Sequence, residues 1–496
     1  MQYKNYIGGK WVDSESDRSF ESLDPATGEV VGIVPRSSPA DVERAVEAAE
    51  VAFRSWRLTP APKRGEILFR VGQLLQERKE QLARLVTREM GKVIAEGRGD
   101  VQEAIDMTYY MAGEGRRLFG HTVPSELPNK FGTSMRDPVG VVAAITPWNF
   151  PIAIPSWKLT AALICGNVVV FKPASDTPVL AAELVKLYEE AGLPGGVLNL
   201  VIGGGGEAGN ALVNHPRVDV VSFTGSTETG RSVLTETAGR IKRVSLEMGG
   251  KNAIMVMEDA DLDLAVEGIL WSAFGTAGQR CTAASRVIVH RAVERDLTDR
   301  LVERARKMRL GHGLDPQTDV GPVINARQLE RIHGYTQVGV QEGARLLCGG
   351  EIAREGELAR GNFYPPTIFA EVRPHMRIAQ EEIFGPTLGI IAVDSLEEAI
   401  RVNNDTRFGL SSSIYTRDVN KAFTASRDVT TGVLYVNAGT IGAEVQLPFG
   451  GTRGTGNGHR EAAWTALDVF TEWKTVYVDY SGRLQRAQID LVEGIG

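Results

Sequence analysis

Residues 140–250 contain "GVVAAITPWN" (140–149), "NVVVFKPAS" (167–175), "VLNLVIGGGG" (197–206), "VDVVSFTGSTETG" (218–230) and "IKRVSLEMGG" (241–250). Each is a short β-branched run closed by Gly, Pro or Ser. Apolar runs without polar alternation suit strands covered on both faces. Between them, "VLAAELVKLYEEAG" (179–192) and "EAGNALVNHP" (207–216) carry the helical period. Strands alternating with helices predict an α/β fold with a doubly wound parallel sheet.

Upstream, "SPADVERAVEAAEVAFRSW" (38–56) opens with a capping signal, Ser38 and Asp41 before an apolar stripe. "RGEILFRVGQLLQERKEQLARLVTREMGK" (64–92) continues the same period, so the first third is expected to be mostly helical. Downstream, a second α/β series begins after Gly250 with "AIMVMED" (253–259), "DLDLAVEGILWSAFG" (261–275) and "SRVIVHRAV" (285–293), and runs to "TGVLYVN" (431–437). A chain of 496 residues exceeds one hydrophobic core. Two units are expected, 1–118 with 139–248, and 249–445.

Composition is that of a soluble globular protein, 43% hydrophobic and 24% charged. The formal net charge of −7 argues against a nucleic-acid surface. No apolar run reaches the roughly 18 residues of a membrane span. The opening residues lack the pattern of a secretory leader, so a cytoplasmic setting is expected. Three cysteines fit neither a paired framework nor a metal site, and no metal is expected.

"FTGSTETG" (223–230) follows a predicted strand and opens a predicted helix, where backbone N–H groups can meet a phosphate. Its spacing is not GxGxxG, and a plain strand-to-helix turn explains it equally well. "EDADLDLA" (258–265) suggests calcium ligands, but Leu262 and Leu264 interrupt the pattern. Carboxylates capping a helix explain it better. His215, His312 and His333 have no i, i+4 partner and are expected in structural roles. Cys165 and Cys348 sit in apolar runs and are expected to be small buried hydrophobes. Cys281 lies in "FGTAGQRCTAASR" (274–286), among small residues that leave room for a ligand. Adjacent Arg280 is expected to favour the thiolate. On these grounds alone, nucleophile and structural thiol both stay open.

"PWNFP" (147–151), "FKPAS" (171–175), "FTGSTETG", "LEMGGKNA" (246–253), "GQRCTA" (278–283), "EEIFGP" (381–386) and "PFGG" (448–451) occur in this order. Together, across residues 5–478, the chain resembles the aldehyde dehydrogenase superfamily. The resemblance implies an aldehyde-oxidising enzyme with Cys281 as nucleophile, and Asn149 with the Cys281 backbone N–H as oxyanion donors. It makes Glu247 the general base for thioester hydrolysis. It makes Lys158 and Glu461 a proton-relay pair, although "GTGNGHREAAW" (454–464) is one residue longer than the usual turn, with Ala462-Ala463 replacing a frequent glycine-containing continuation. Glu247 disfavours the CoA-acylating relatives. The intact set of Cys281, Glu247 and Asn149 disfavours a binding protein that merely keeps the fold.

For the cofactor, the resemblance implies Trp148, Lys172, Ser175, Gly205, Gly225, Ser226, Glu382 and Phe384. Ser175 stands where NAD-preferring members commonly carry glutamate, so NADP is expected to be preferred and NAD tolerated, unless Glu207 lies near the adenosine and repels the phosphate. "NAGTIGAE" (437–444) is similar to the substrate loop of aminoadipate-semialdehyde dehydrogenases, and the chain also resembles bacterial α-ketoglutaric semialdehyde dehydrogenases. This implies a semialdehyde with a distal carboxylate, held by Arg280, Thr440 and Gly442. Simple aliphatic or aromatic aldehydes are the alternative. Residues 119–138 and 464–496 correspond to a bridging arm and tail, which implies a dimer or a dimer of dimers. Apolar Leu484, Ile489, Leu491, Val492 and Ile495 suit either a loose tail or docking on a neighbouring subunit.

Overall fold

The computed structural model describes residues 1–489; Leu491, Val492 and Ile495 lie outside the described residues. All five runs of residues 140–250 form strands, Val141–Ile145, Val168–Lys172, Leu198–Leu200, Val220–Thr224 and Arg243–Glu247. They pair in parallel in the spatial order 243–247, 220–224, 141–145, 168–172, 198–200. Nearly every residue in them is buried, because helices cover both faces. The first third is helical from Pro39 to Glu114, with Ser38 donating its backbone N–H to Asp41 at 2.8 Å. It also holds strands the pattern did not predict. Asn5–Ile7 and Lys10–Val12 extend the sheet antiparallel, and Ser19–Leu23 pairs with Val30–Pro35.

A second seven-stranded sheet follows the order 345–348, 367–370, 387–393, 284–290, 252–256, 411–415, 433–436. It is parallel except at its edge strand Arg345–Cys348. Cys348 on that edge is only half-buried, a correction to the expected core position, whereas Cys165 is buried. Asp261 caps the helix Leu262–Phe274 through the Leu264 N–H at 3.2 Å, as the capping reading expected. Thr122–Pro124, Lys130–Pro138 and Thr471–Asp479 form a separate antiparallel sheet. Gln485 ties the following segment to it by donating to the Pro128 carbonyl at 2.9 Å. His215 meets Glu43, His312 meets Asp24 and His333 meets Tyr364, all structural contacts. No described helix is long and apolar enough to cross a membrane.

Candidate active site

Cys281 sits where the second unit turns from the helix Leu262–Phe274 into the strand Ala284–His290. The turn runs through three left-handed residues, Thr276 (φ 53°), Ala277 (φ 52°) and Gly278 (φ 68°). Two of these are not glycine, a conformation that costs about 1–3 kcal/mol each. Glu96 helps hold it by accepting the Thr276 N–H at 2.7 Å. Gln279 donates to the Thr276 carbonyl and accepts from Ile324. A β-carbon at Gly278 would lie 2.2 Å from the Gly385 carbonyl. Gly278 therefore serves tight backbone packing, while the sulfur still borders open space. Asn252 fixes the far side by donating to the carbonyls of Cys281 (2.7 Å) and Ala283 (2.9 Å).

Two cavities meet at Cys281. One, of about 240 Å³, is lined by Phe150, Trp157, Trp271 and Phe449 and by the polar groups Glu96, Glu103, Glu247, Arg280 and Glu461. The other is a groove of about 780 Å³ along the ends of the first sheet's strands. Cys281, Thr224, Ile154 and Met248 border both. Asn149 is buried and borders the groove.

Glu247 ends the last strand of the first sheet and pairs through its backbone with Gly456. Its carboxylate is buried and closes no regular hydrogen bond. Burial first, then the charge of Glu461, raise its pKa well above the usual carboxylate value; Lys158, Arg460 and the Gly451 amide pull the other way. Glu461 is fixed by a reciprocal backbone pair with Phe449, 2.7 Å in each direction, so the longer turn does not displace it. Ala462 (φ 62°) and Ala463 (φ 49°), which follow it, are left-handed positions that suit glycine. Glu461 forms a buried ion pair with Lys158, whose ammonium also donates to Ser222 at 3.0 Å.

The Cys281 thiol is pushed up to about 12, by burial first and then by Glu247, Glu382 and Glu103. Arg280 does not offset this, which corrects the expected thiolate role. Its guanidinium is spent on Glu96 (3.0 Å) and Thr276 (2.9 Å), and lies 4.8 Å from the Trp271 ring. Among the described residues Nη1 alone makes no hydrogen bond, and the residue lines the cavity. Gly442 lines it too. Thr440 does not: it is fully buried and its hydroxyl donates to the Thr282 carbonyl at 2.7 Å, so it braces the cysteine loop. Sequence reasoning missed Glu96, Asp100 and Glu103. They face the cavity from one side of the helix Ile94–Glu114, at i, i+4 and i+7. That spacing was the available signal, but acids on a helix ordinarily mark a solvated face.

The groove brings together Trp148, Lys172, Ser175, Gly205, Gly225, Ser226, Glu382 and Phe384. Ser226 caps the helix Thr227–Ala238, accepting from Thr229 N–H at 3.2 Å. Lys172 is buried, which lowers it to about 8, and donates to the Pro173 carbonyl at 2.8 Å. Glu382 accepts the Gly250 N–H at 3.0 Å, and a β-carbon at Gly249 would lie 2.1 Å from its carboxylate. Phe384 meets Trp148 edge-on, with centroids 5.4 Å apart. The buried Thr224 hydroxyl, without a partner, faces the junction of groove and cavity. A helix N-terminus, a lysine and hydroxyls as donors, with a carboxylate as acceptor, in one long groove fit a dinucleotide. Glu207 does not line that groove; it is half-buried and paired with Arg18 (3.0 Å) and Arg36 (3.5 Å).

Comparisons with known proteins agree with this geometry. The chain is 42% identical over 477 residues to the α-ketoglutaric semialdehyde dehydrogenase of Bacillus subtilis (strain 168), covering 96% of this chain and 98% of that protein. It is 39% identical over 469 residues to the glutarate-semialdehyde dehydrogenase of Pseudomonas putida, covering 95% and 96%. Among solved structures, betaine aldehyde dehydrogenase from Staphylococcus aureus in complex with NAD+ superimposes with a TM-score of 0.95 at 34% identity, covering 97% of this chain and 96% of that one. Residues 11–476 match the aldehyde dehydrogenase family. The chain belongs to that family and is an NAD(P)-dependent oxidoreductase acting on small-molecule aldehydes.

Proposed function

We propose that the enzyme converts a semialdehyde bearing a distal carboxylate into the dicarboxylic acid, through a covalent intermediate on Cys281. The observation that carries the mechanism is the position of Cys281 at the junction of groove and cavity, with an unpaired Glu247 on the same cavity wall. The Cys281 sulfur, once deprotonated, adds to the aldehyde carbon. The Asn149 amide and the Cys281 backbone N–H stabilise the oxyanion. When bound, the nicotinamide cofactor supplies the hydride acceptor. Collapse leaves a thioester on Cys281. Glu247 takes a proton from water, which adds to the thioester carbon; the carbon–sulfur bond breaks and the acid leaves. A raised pKa suits Glu247 to this exchange. The Glu461–Lys158 pair is the route by which its proton reaches solvent.

In this reading residues 1–118 and 139–248 hold the cofactor, with Trp148, Lys172, Ser175, Gly205, Gly225, Ser226, Glu382 and Phe384 lining its groove. Residues 249–445 supply the nucleophile, and 119–138 with 464–496 mediate assembly. NADP is preferred and NAD tolerated. The substrate class is supported by the names of the two semialdehyde dehydrogenase relatives, and by Arg280 on the cavity wall. The aromatic wall and the Arg280–Glu96 pair favour a second reading, broad action on neutral aldehydes.

Cys281→Ser should abolish oxidation while leaving cofactor affinity nearly intact; substantial residual turnover would remove Cys281 from its role. Glu247→Gln should preserve a first-turnover burst of reduced cofactor and stall steady-state turnover. A mutant that lost the burst would contradict the general-base role.

A further inference from the structure

The cavity beside Cys281 holds an uneven set of charges. Glu96 is paired with Arg280 at 3.0 Å. Asp100 is paired with Lys92 at 3.0 Å, both side chains fully buried, and the Lys92 ammonium lies 3.9 Å from the centre of the Phe150 ring. Glu103, one turn further along the same helix, lines the cavity and makes no hydrogen bond or ion pair among the described residues. With all five groups ionised the set carries one excess negative charge, which opposes a second carboxylate.

We propose that Glu103 is a specificity-determining residue that donates a hydrogen bond, as a neutral acid, to the distal carboxylate of the substrate. The proposal rests on the substrate class given above. Burial, then Asp100 and Asp106, raise Glu103 to about 8, while Lys92 and Arg280 act the other way. Cys281 lines the same cavity, and the Glu103 charge contributes to raising both Cys281 and Tyr435. At neutral pH the acid form predominates, these five groups are charge-balanced, and its O–H is a donor. Above about pH 8 the proton leaves, the donor becomes an acceptor, and the cavity disfavours a carboxylate while still admitting a neutral chain.

The test compares glutaric semialdehyde with pentanal, as the ratio of their kcat/KM values, in the wild type, Glu103→Gln and Glu103→Ala. Taking the ratio cancels the pH dependence of Cys281 and Glu247 chemistry, which both substrates share. Across about pH 6.5 to 9.5 the wild-type ratio should fall roughly tenfold, through KM and not kcat. The Gln variant, a permanent donor, should hold a high and flat ratio. The Ala variant should show a flat ratio about 10- to 100-fold lower, the usual worth of a hydrogen bond to a charged group. Equal kcat/KM for the two aldehydes at about pH 6.5 in the wild type would overturn the substrate reading and this inference with it. A preference present at about pH 6.5 that stays constant to about pH 9.5, or that falls equally in the Gln variant, would overturn the role of Glu103 alone.

Discussion

Ser175→Glu should reverse the cofactor preference. Ser175 borders the groove three residues after Lys172, and its hydroxyl is committed only to a long bond with the Gly203 carbonyl, 3.3 Å. A glutamate here would accept hydrogen bonds from the adenosine ribose hydroxyls of NAD. Each such bond to a charged group is worth about 1.5–3 kcal/mol, roughly 10- to 100-fold in affinity. The same carboxylate opposes the 2′-phosphate of NADP. At about 5 Å each pair of unit charges costs about 1 kcal/mol in water and about 3 kcal/mol at an effective dielectric near 20. Glu207 adds no comparable repulsion in the wild type, because Arg18 and Arg36 neutralise it outside the groove wall. The ratio of kcat/KM for NADP over NAD should therefore shift toward NAD by about 100-fold or more. Lys172 adds a pH signature. Its pKa is lowered to about 8 by burial, so its positive charge is complete well below that value and lost as pH rises through it. The wild-type preference for NADP should weaken on the alkaline side. The assay is the rate of cofactor reduction with one aldehyde at saturating concentration, for both cofactors, in wild type and mutant. A wild type that strongly prefers NAD, or a mutant ratio that moves less than about threefold, would refute Ser175 as selector.

Assembly and acid stability give two further checks. Thr122–Pro124 and Thr471–Asp479 are the edge strands of the small sheet, which exposes Val123, Phe131, Met135, Trp473 and Tyr477. Such a surface is expected to be covered by another copy, so light scattering should give a dimer or tetramer mass, and a monomer at micromolar concentration would sink the assignment. Truncation after Tyr480 should alter mass or kinetics if the tail docks on a neighbour; no change in either would make the tail incidental. Asp259 is raised by burial but pulled further down, to about 2, by the Thr416 hydroxyl, the Arg417 amide and Lys421. Its lowered folded value contributes stability above the ordinary carboxylate pKa that is lost as pH falls toward 2. Asp259→Asn should cost about 1 kcal/mol near pH 7, discounted for partial exposure, and progressively less in acid. Equal Tm deficits at pH 7 and pH 3 would contradict that linkage.

How far the residues reveal the molecule depends on whether each signal is local. The five central strands were legible because burial on both faces writes a continuous apolar run into the chain. The strands Asn5–Ile7 and Lys10–Val12 were not, because the first is placed by pairing with Leu200, almost two hundred positions away, and the second only pairs back onto the first. The site shows the same division. Cys281, Glu247, Asn149 and Glu461 lie in short ordered motifs, and the fold gathers them around adjoining cavities. Thr440 belonged to such a motif yet turned inward to brace the cysteine loop, since motif membership does not fix side-chain direction. Arg280 was read by its neighbour in sequence, the cysteine, when its charge is paired with Glu96, 184 positions away. The acids at 96, 100 and 103 looked like a solvated helix face, because a charge is recognised as buried only once its partner is known. The partners of the first two, Arg280 and Lys92, come from a distant turn and a short loop, and the third acid has none among the described residues. The electrostatics of this cavity is therefore a tertiary property: it depends on which charges remain unpaired after folding.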